Sequence, residues 1–348
     1  MAALLLLAAC GDDSAGAADA GASVDAGGTE TITLIGMLQI SGLPIHDVWE
    51  YTDESTGNEY ALLCASSAGL RIIDLADRTA PIQVGSISGV GIEATDVKTW
   101  KNYAYIIGEG PSVTGNIIDL SNPASPVWVG TFPAAHNIFI SAGGHMYLAV
   151  PGLRIYDLNN NPLNPAEIYS DNACTGHDVA VIGDRLFDFA GDCGTRIFNV
   201  LNPASPVLLG TVVDTSFSHH SGWTTSDGNH LFITDEVASP TANDISVWDI
   251  SDPASPSNVG SYSDPDSFVH NLYVVGDYAY VSYYRAGFRV FDVTDPAQLS
   301  LVDEYDTDTS LSGPGFGGNF GVHPFNSDGT ILASDEENGL FIFAFDGK

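Results

Sequence analysis

Basic side chains are scarce in this chain of 348 residues: 10 Lys and Arg stand against 44 Asp and Glu, for a formal net charge of -34. A surface that acidic repels phosphate backbones and anionic lipid heads, which excludes nucleic acid and a charge-held membrane surface as partners. It serves solubility or a salty medium, or it collects divalent cations. No apolar run approaches the ~20 residues of a membrane span. No stretch sustains the ~3.6-residue period of an amphipathic helix. HExxH, GxSxG, CxxC and a phosphate loop are all missing, which removes the common sequence signatures of enzymatic chemistry. The Gly-rich stretch 310–319 (SLSGPGFGGN) has no following helix to help cradle a phosphate, and it reads as a mobile loop.

What the chain has in abundance is repetition. GLRIIDLADRTAPIQVGSI begins at Gly69, GNIIDLSNPASPVWVGTF at Gly115 and GLRIYDLNNNPLNPAEIY at Gly152. GTRIFNVLNPASPVLLGTV follows from Gly194, DISVWDISDPASPSNVGSY from Asp244, GFRVFDVTDPAQLSLVDEY from Gly287 and GLFIFAFDGK from Gly339. A period of roughly 40–50 residues means stacked or radial copies of one supersecondary unit, so the length reflects one large domain. Each unit reads as four short strands rich in β-branched and aromatic residues. In the sixth they fall at 271–275, 279–282, 288–293 and 299–305, with Gly276-Asp277 as a hairpin turn. The Asn/Asp-Pro-x-x-Pro turn recurs because Asn or Asp bonds its own backbone while Pro fixes φ.

Four-stranded units of this length are propeller blades. Seven first strands are present, and the last unit lacks its fourth strand. Residues 31–38 (TITLIGML) match the other fourth strands and supply it. The expected fold is all-β, a seven-bladed β-propeller of four-stranded blades closed by an N-terminal strand in the last blade. Closure leaves no open sheet edges.

The third-strand phrases, together with HNLYVVGDYAYVSYYRAGFRVFDVTDP from His270, resemble the LVIVD-repeat β-propellers, called choice-of-anchor B proteins. The resemblance covers about residues 31–346 and implies an exported bacterial protein fixed to the cell surface. Leu7-Ala8-Ala9-Cys10-Gly11, at the end of an apolar run, resembles the lipobox of bacterial lipoproteins, in which the Cys is lipidated. No Lys or Arg precedes that run, although a signal n-region carries them. The expected organisation is a signal segment at 1–10, a Gly/Ala/Asp tether at 11–30 that buries almost nothing, and the propeller at 31–348. The expected location is the outer cell surface, with the membrane as partner through the lipid on Cys10 alone. In an exported chain Cys174 and Cys193 read as a disulfide, and Cys64, within an apolar run, as a buried free thiol.

Aligned first strands put His at one slot in six of seven units: His46, His136, His177, His220, His270 and His323, with Thr95 in the second. The first strand is innermost in a propeller, so the repeat predicts a ring of imidazoles at one channel mouth. Second strands end at the same face with Glu109, Asp192, Asp235-Glu236, Arg285 and Asp335-Glu336. Asp47, Asp96, Asp178, Asp235, Glu236 and Asp335 form the expected carboxylate surround. Imidazole backed by carboxylate suits zinc, copper, iron or nickel better than calcium or magnesium. The alternative reading is that these histidines only join blades by hydrogen bonds. His145 and His230 sit at hairpins on the opposite face, and His219 points elsewhere. Trp223, Tyr284, Phe316 and Phe320 are candidates for docking a sugar or peptide at the mouth. Two functions follow: a binding module for a protein, peptide or saccharide, or a metal-dependent hydrolase or oxidase. No catalytic residue is singled out.

Overall fold

The computed structural model describes residues 30–89, 92–108, 114–216, 218–236 and 243–347. Seven four-stranded antiparallel sheets form the blades of a propeller. Their inner strands are Val48–Thr52, Asp96–Trp100, Asn137–Ile140, Asp178–Ile182, Gly222–Thr224, Leu272–Val275 and Asn319–His323, numbered here as blades 1 to 7. Each inner strand touches those of the two flanking blades, and blade 7 touches blade 1, so the ring is closed. As expected, the N-terminal strand Ile32–Gln39 completes blade 7, pairing antiparallel with Gly339–Phe345. Among the described residues the single helical element is the 3-10 turn Pro296–Gln298, and no helix is long and apolar enough to cross a membrane.

The core lies between blades, with one apolar cluster at each of the seven blade interfaces. The repeated phrase can be read residue by residue. The Asp or Asn ending the third strand in blades 1 to 6 accepts the backbone N–H two residues on: Asp74 from Ala76, Asp119 from Ser121, Asp157 from Asn159, Asn199 from Leu201, Asp249 from Ser251 and Asp292 from Thr294, at 2.8 to 3.1 Å. This turns the chain into the fourth strand. The Gly that opens the third strand in blade 4, Gly194, has φ 80, where a side chain would be strained. The Gly of the fourth strand answers a packing demand. A Cβ on Gly210 would stand 1.6 Å from the carbonyl oxygen of Pro253, in the turn of the next blade. Cys174 and Cys193 are disulfide-bonded, and Cys64 is free and buried. Cys10 and the tether expected at 11–30 lie outside the described residues, apart from Glu30.

Candidate functional site

The inner strands deliver their side chains to the channel in tiers. His46, Thr95, His136, His177, His220 and His270 occupy one slot. In each case the backbone N–H donates to the residue ending the second strand: Cys64, Ile107, Ala149, Phe189, Thr234 and Ser282. The next residues form a tier of Asp47, Asp96, Asn137, Asp178, Ser221 and Asn271. Two further on come Trp49, Lys98, Phe139, Ala180, Trp223 and Tyr273.

Blade 7 departs from the expected alignment. Its inner strand pairs Gly321 with Ser334 after a bulge, and Ser334 pairs with Leu340. The ring slot therefore holds Phe320, and His323 lies three residues deeper, in the third tier. It stacks there on Trp49, 4.5 Å between centroids, beside Phe325. The one-letter match at His323 misplaced the strand. The apolar residue two places after the slot in six of the seven blades (Val48, Val97, Ile138, Val179, Leu272, Val322, with Gly222 in blade 5) gives the correct register. Trp223 likewise belongs to the third tier and not to the mouth, packed against Tyr273 and Phe325 at 5.2 and 5.5 Å.

Four imidazoles from consecutive blades abut around half of the mouth. Their centroids are 4.3 Å apart for His136–His177, 4.4 Å for His177–His220 and 4.9 Å for His220–His270. Phe320 continues the arc, 4.2 Å from His270 and 4.9 Å from His46, so His46 is set apart from the other imidazoles. Two groups bring possible ligand atoms within 4.8 Å of one another: His136, His177 and Asp178, and His177, His220 and Glu236. His177 belongs to both, and its Nδ1 lies 3.1 Å from Asp178 Oδ1.

Glu236 is the acid at the centre. It accepts a hydrogen bond from the Tyr284 hydroxyl, and its oxygens lie 3.4 Å from His220 Nε2 and 3.9 Å from His270 Nε2. His270 Nδ1 is 2.5 Å from the Phe320 carbonyl, which can only accept, so Nδ1 carries the proton. A neutral His270 therefore turns its Nε2 lone pair toward a carboxylate. Burial pushes His270 below the usual imidazole range, and His220 well below it, where His177, His270 and His136 add like charge. Burial and the neighbouring Glu337, Asp335 and Glu236 raise Glu336 to about 7. Glu236 thus faces the Nε2 atoms of both His220 and His270. A cavity of about 50 Å³ lies between the ring and the second tier, walled by His136, His220, His270 and Phe320 above and by Asp47, Asp96, Asn137, Asp178 and Asn271 below, with neither His177 nor Glu236 in its lining. It is the scale of an ion or a water.

Other expected members take different places. Asp47 and Asp96 bind Lys98 Nζ, at 3.0 and 2.5 Å, in a buried knot beneath the ring. Asp235 accepts Ser218 N. Asp335 caps a turn through Glu337 N and Asn338 N. His219 turns away to Thr195 Oγ1 at 2.7 Å, and Glu109 lies outside the described residues. The second tier bonds neighbouring blades, Asp96 accepting Ile138 N from blade 3 and Asn137 accepting Val179 N from blade 4, and the His270–Phe320 bond joins blade 6 to blade 7. Tyr284 and Phe316 do reach the mouth, packed at 5.2 Å. The stretch 310–319 is tied down there by Arg285 Nε on the Phe316 carbonyl and by Gly318 N on Glu337. Lys98 went unnoticed in the sequence, although it is the one Lys in an inner strand.

Three stretches, 92–133, 227–264 and 268–307, match the LVIVD repeat. No curated protein matches the chain by sequence. Among solved structures, the RRP9 WD40 repeats superpose with a TM-score of 0.64 at 11% identity, covering 91% of this chain and 100% of that one. The structure of U3-55K does so with 0.63 at 11%, covering 90% and 98%. At that identity the likeness is one of fold.

Proposed function

We propose that the protein is a binding module of the cell exterior that takes its ligand at the His- and acid-lined mouth, with a transition-metal ion held by the imidazole arc. LVIVD repeats in a closed propeller support an interaction role. The observation that carries the site is the arc itself: His136, His177, His220 and His270, from four consecutive blades, abut at the mouth beside the Glu236 carboxylate. His177, His220 and Glu236 would hold the ion, with Asp178 orienting His177 and Tyr284 orienting Glu236. Lipid anchoring through Cys10 and display at the outer surface belong to the same reading, supported by the lipobox-like Leu7–Cys10 and the disulfide.

The approach of Glu236 to His220 Nε2 and His270 Nε2, at 3.4 and 3.9 Å, favours a second reading, a metal-dependent hydrolase or oxidase. A bound metal there would supply an activated water or a redox centre. Glu236, held by Tyr284, would be the acid–base group nearest to it.

Peptide and saccharide arrays, probed with the full chain in Zn²⁺ and again in EDTA, test the binding role. The expected result is a ligand class retained in zinc, lost in EDTA and lost in His177→Ala. Ligands that bind equally well to the folded His177→Ala protein would place recognition elsewhere.

A further inference from the structure

The mouth opposite the arc is a pocket of a different chemistry. The third tier meets there the hairpins that join first to second strands. Five rings from blades 3, 5, 7 and 1 form a belt. Phe139 lies 6.2 Å from Trp223, Trp223 5.5 Å from Phe325, Phe325 5.5 Å from His323 and His323 4.5 Å from Trp49, between centroids. The space they line is about 690 Å³, against about 50 Å³ beneath the arc. It is the size of a small-molecule site.

The pocket leans toward blade 4, and there the repeat is broken twice. The third tier carries a large side chain in six blades and Ala180 in blade 4, which leaves room. Two residues after the turn-forming Asp or Asn, five blades place Ala76, Ser121, Asn159, Ser251 and Thr294. Blade 4 places Leu201 there, 76% exposed and lining the pocket. Phe325, in the belt, is 37% exposed. Large apolar side chains left open to water around one concavity mark a surface that receives a ligand.

Charge narrows the class of ligand. Among the described residues that line the pocket there is no Lys or Arg, and the one carboxylate is Asp184, exposed at the blade 4 hairpin. Lys98 stands 4.4 Å over the Trp49 ring, but Asp47 and Asp96 hold its ammonium. Burial, then the Lys98 charge, depresses His323 to about 3, so that imidazole adds no positive charge at pH 7. The net charge of -34 repels an anion and draws in a cation. Ring faces favour the same sign, because their quadrupole attracts a cation. We propose that this pocket binds a ring-bearing amine, with its ring among Phe139, Trp223 and Phe325 and its ammonium against Asp184. The site is independent of the arc and of any metal held there.

Calorimetric titration of the full chain with tryptamine, tryptophol and indole-3-propionate tests this, since the three differ in charge and little in shape. Tryptamine should bind saturably with a Kd of about 10⁻³ M or tighter. It should bind about three- to fivefold more tightly than tryptophol, the margin of one exposed ion pair, and indole-3-propionate more weakly than either. Asp184→Asn should bring tryptamine to the tryptophol level and leave tryptophol unchanged. Leu201→Ser should weaken all three. Both positions are exposed, so folding is not at stake. EDTA and His177→Ala should change nothing. No saturable tryptamine binding, no preference for tryptamine over the other two, or isotherms unchanged in Asp184→Asn or Leu201→Ser would overturn the proposal. Tryptamine binding lost in His177→Ala would place the amine at the arc and overturn it as well.

Discussion

Replacing Lys98 with Met should destabilise the protein by about 3–5 kcal/mol at pH 7, the cost of breaking a buried ion pair by removing one partner. Lys98, Asp47 and Asp96 are 4%, 3% and 8% exposed, and the ammonium bridges the two acids of blades 1 and 2. It also sits 4.4 Å over the Trp49 ring, a contact of about 1 kcal/mol. Met matches the Lys stem in volume, so little of the loss comes from a cavity. Burial already holds Asp47 well above the carboxylate range, with the Asp96 charge adding to it, and the Lys98 charge opposes both. Without that charge both acids retain protons in the folded state that they release on unfolding. Groups with raised folded pKa values lose stability as pH rises above the unfolded value near 4. The gap between wild type and Lys98→Met should therefore be wide at pH 8 and narrow toward pH 5. Urea unfolding followed by Trp fluorescence at pH 5, 6.5 and 8 reads it. A gap under about 1 kcal/mol at pH 8, or one independent of pH, would refute the reasoning.

Gly210→Ala should lower stability by about 1–3 kcal/mol or more, because the new Cβ meets the Pro253 carbonyl at 1.6 Å, and the same urea assay checks it. His323→Phe should blunt acid sensitivity. Burial, then the Lys98 charge, depresses His323 to about 3, so its contribution is intact above about 6.5 and is lost as pH falls toward 3. Wild type should thus lose more stability than the variant between pH 7 and 4.5. Equal losses would show that His323 is not held neutral.

The seven blades, the closing strand and the disulfide pair were legible because the repeat spells them out: a turn-forming Asp, a glycine at a blade contact, alternating β-branched residues. The imidazole slot was legible in five blades for the same reason. Blade 7 was not, because a bulge before Gly321 shifts the register and His323 imitates the motif three residues late. The division of labour inside the channel was also hidden. Asp47 and Asp96 look like an outer shell for imidazole until Lys98 is seen between them.

Copper coordination by the arc bears most directly on the central claim. Electron paramagnetic resonance of the full chain, loaded with one equivalent of Cu²⁺ after chelator treatment, counts the imidazole nitrogens around the ion. Wild type should give a single species with hyperfine coupling to two or more nitrogens. His177→Ala, which belongs to both ligand groups, should lose that species. A spectrum with no coordinated imidazole, or one unchanged in the folded variant, would mean that the arc is not a metal site.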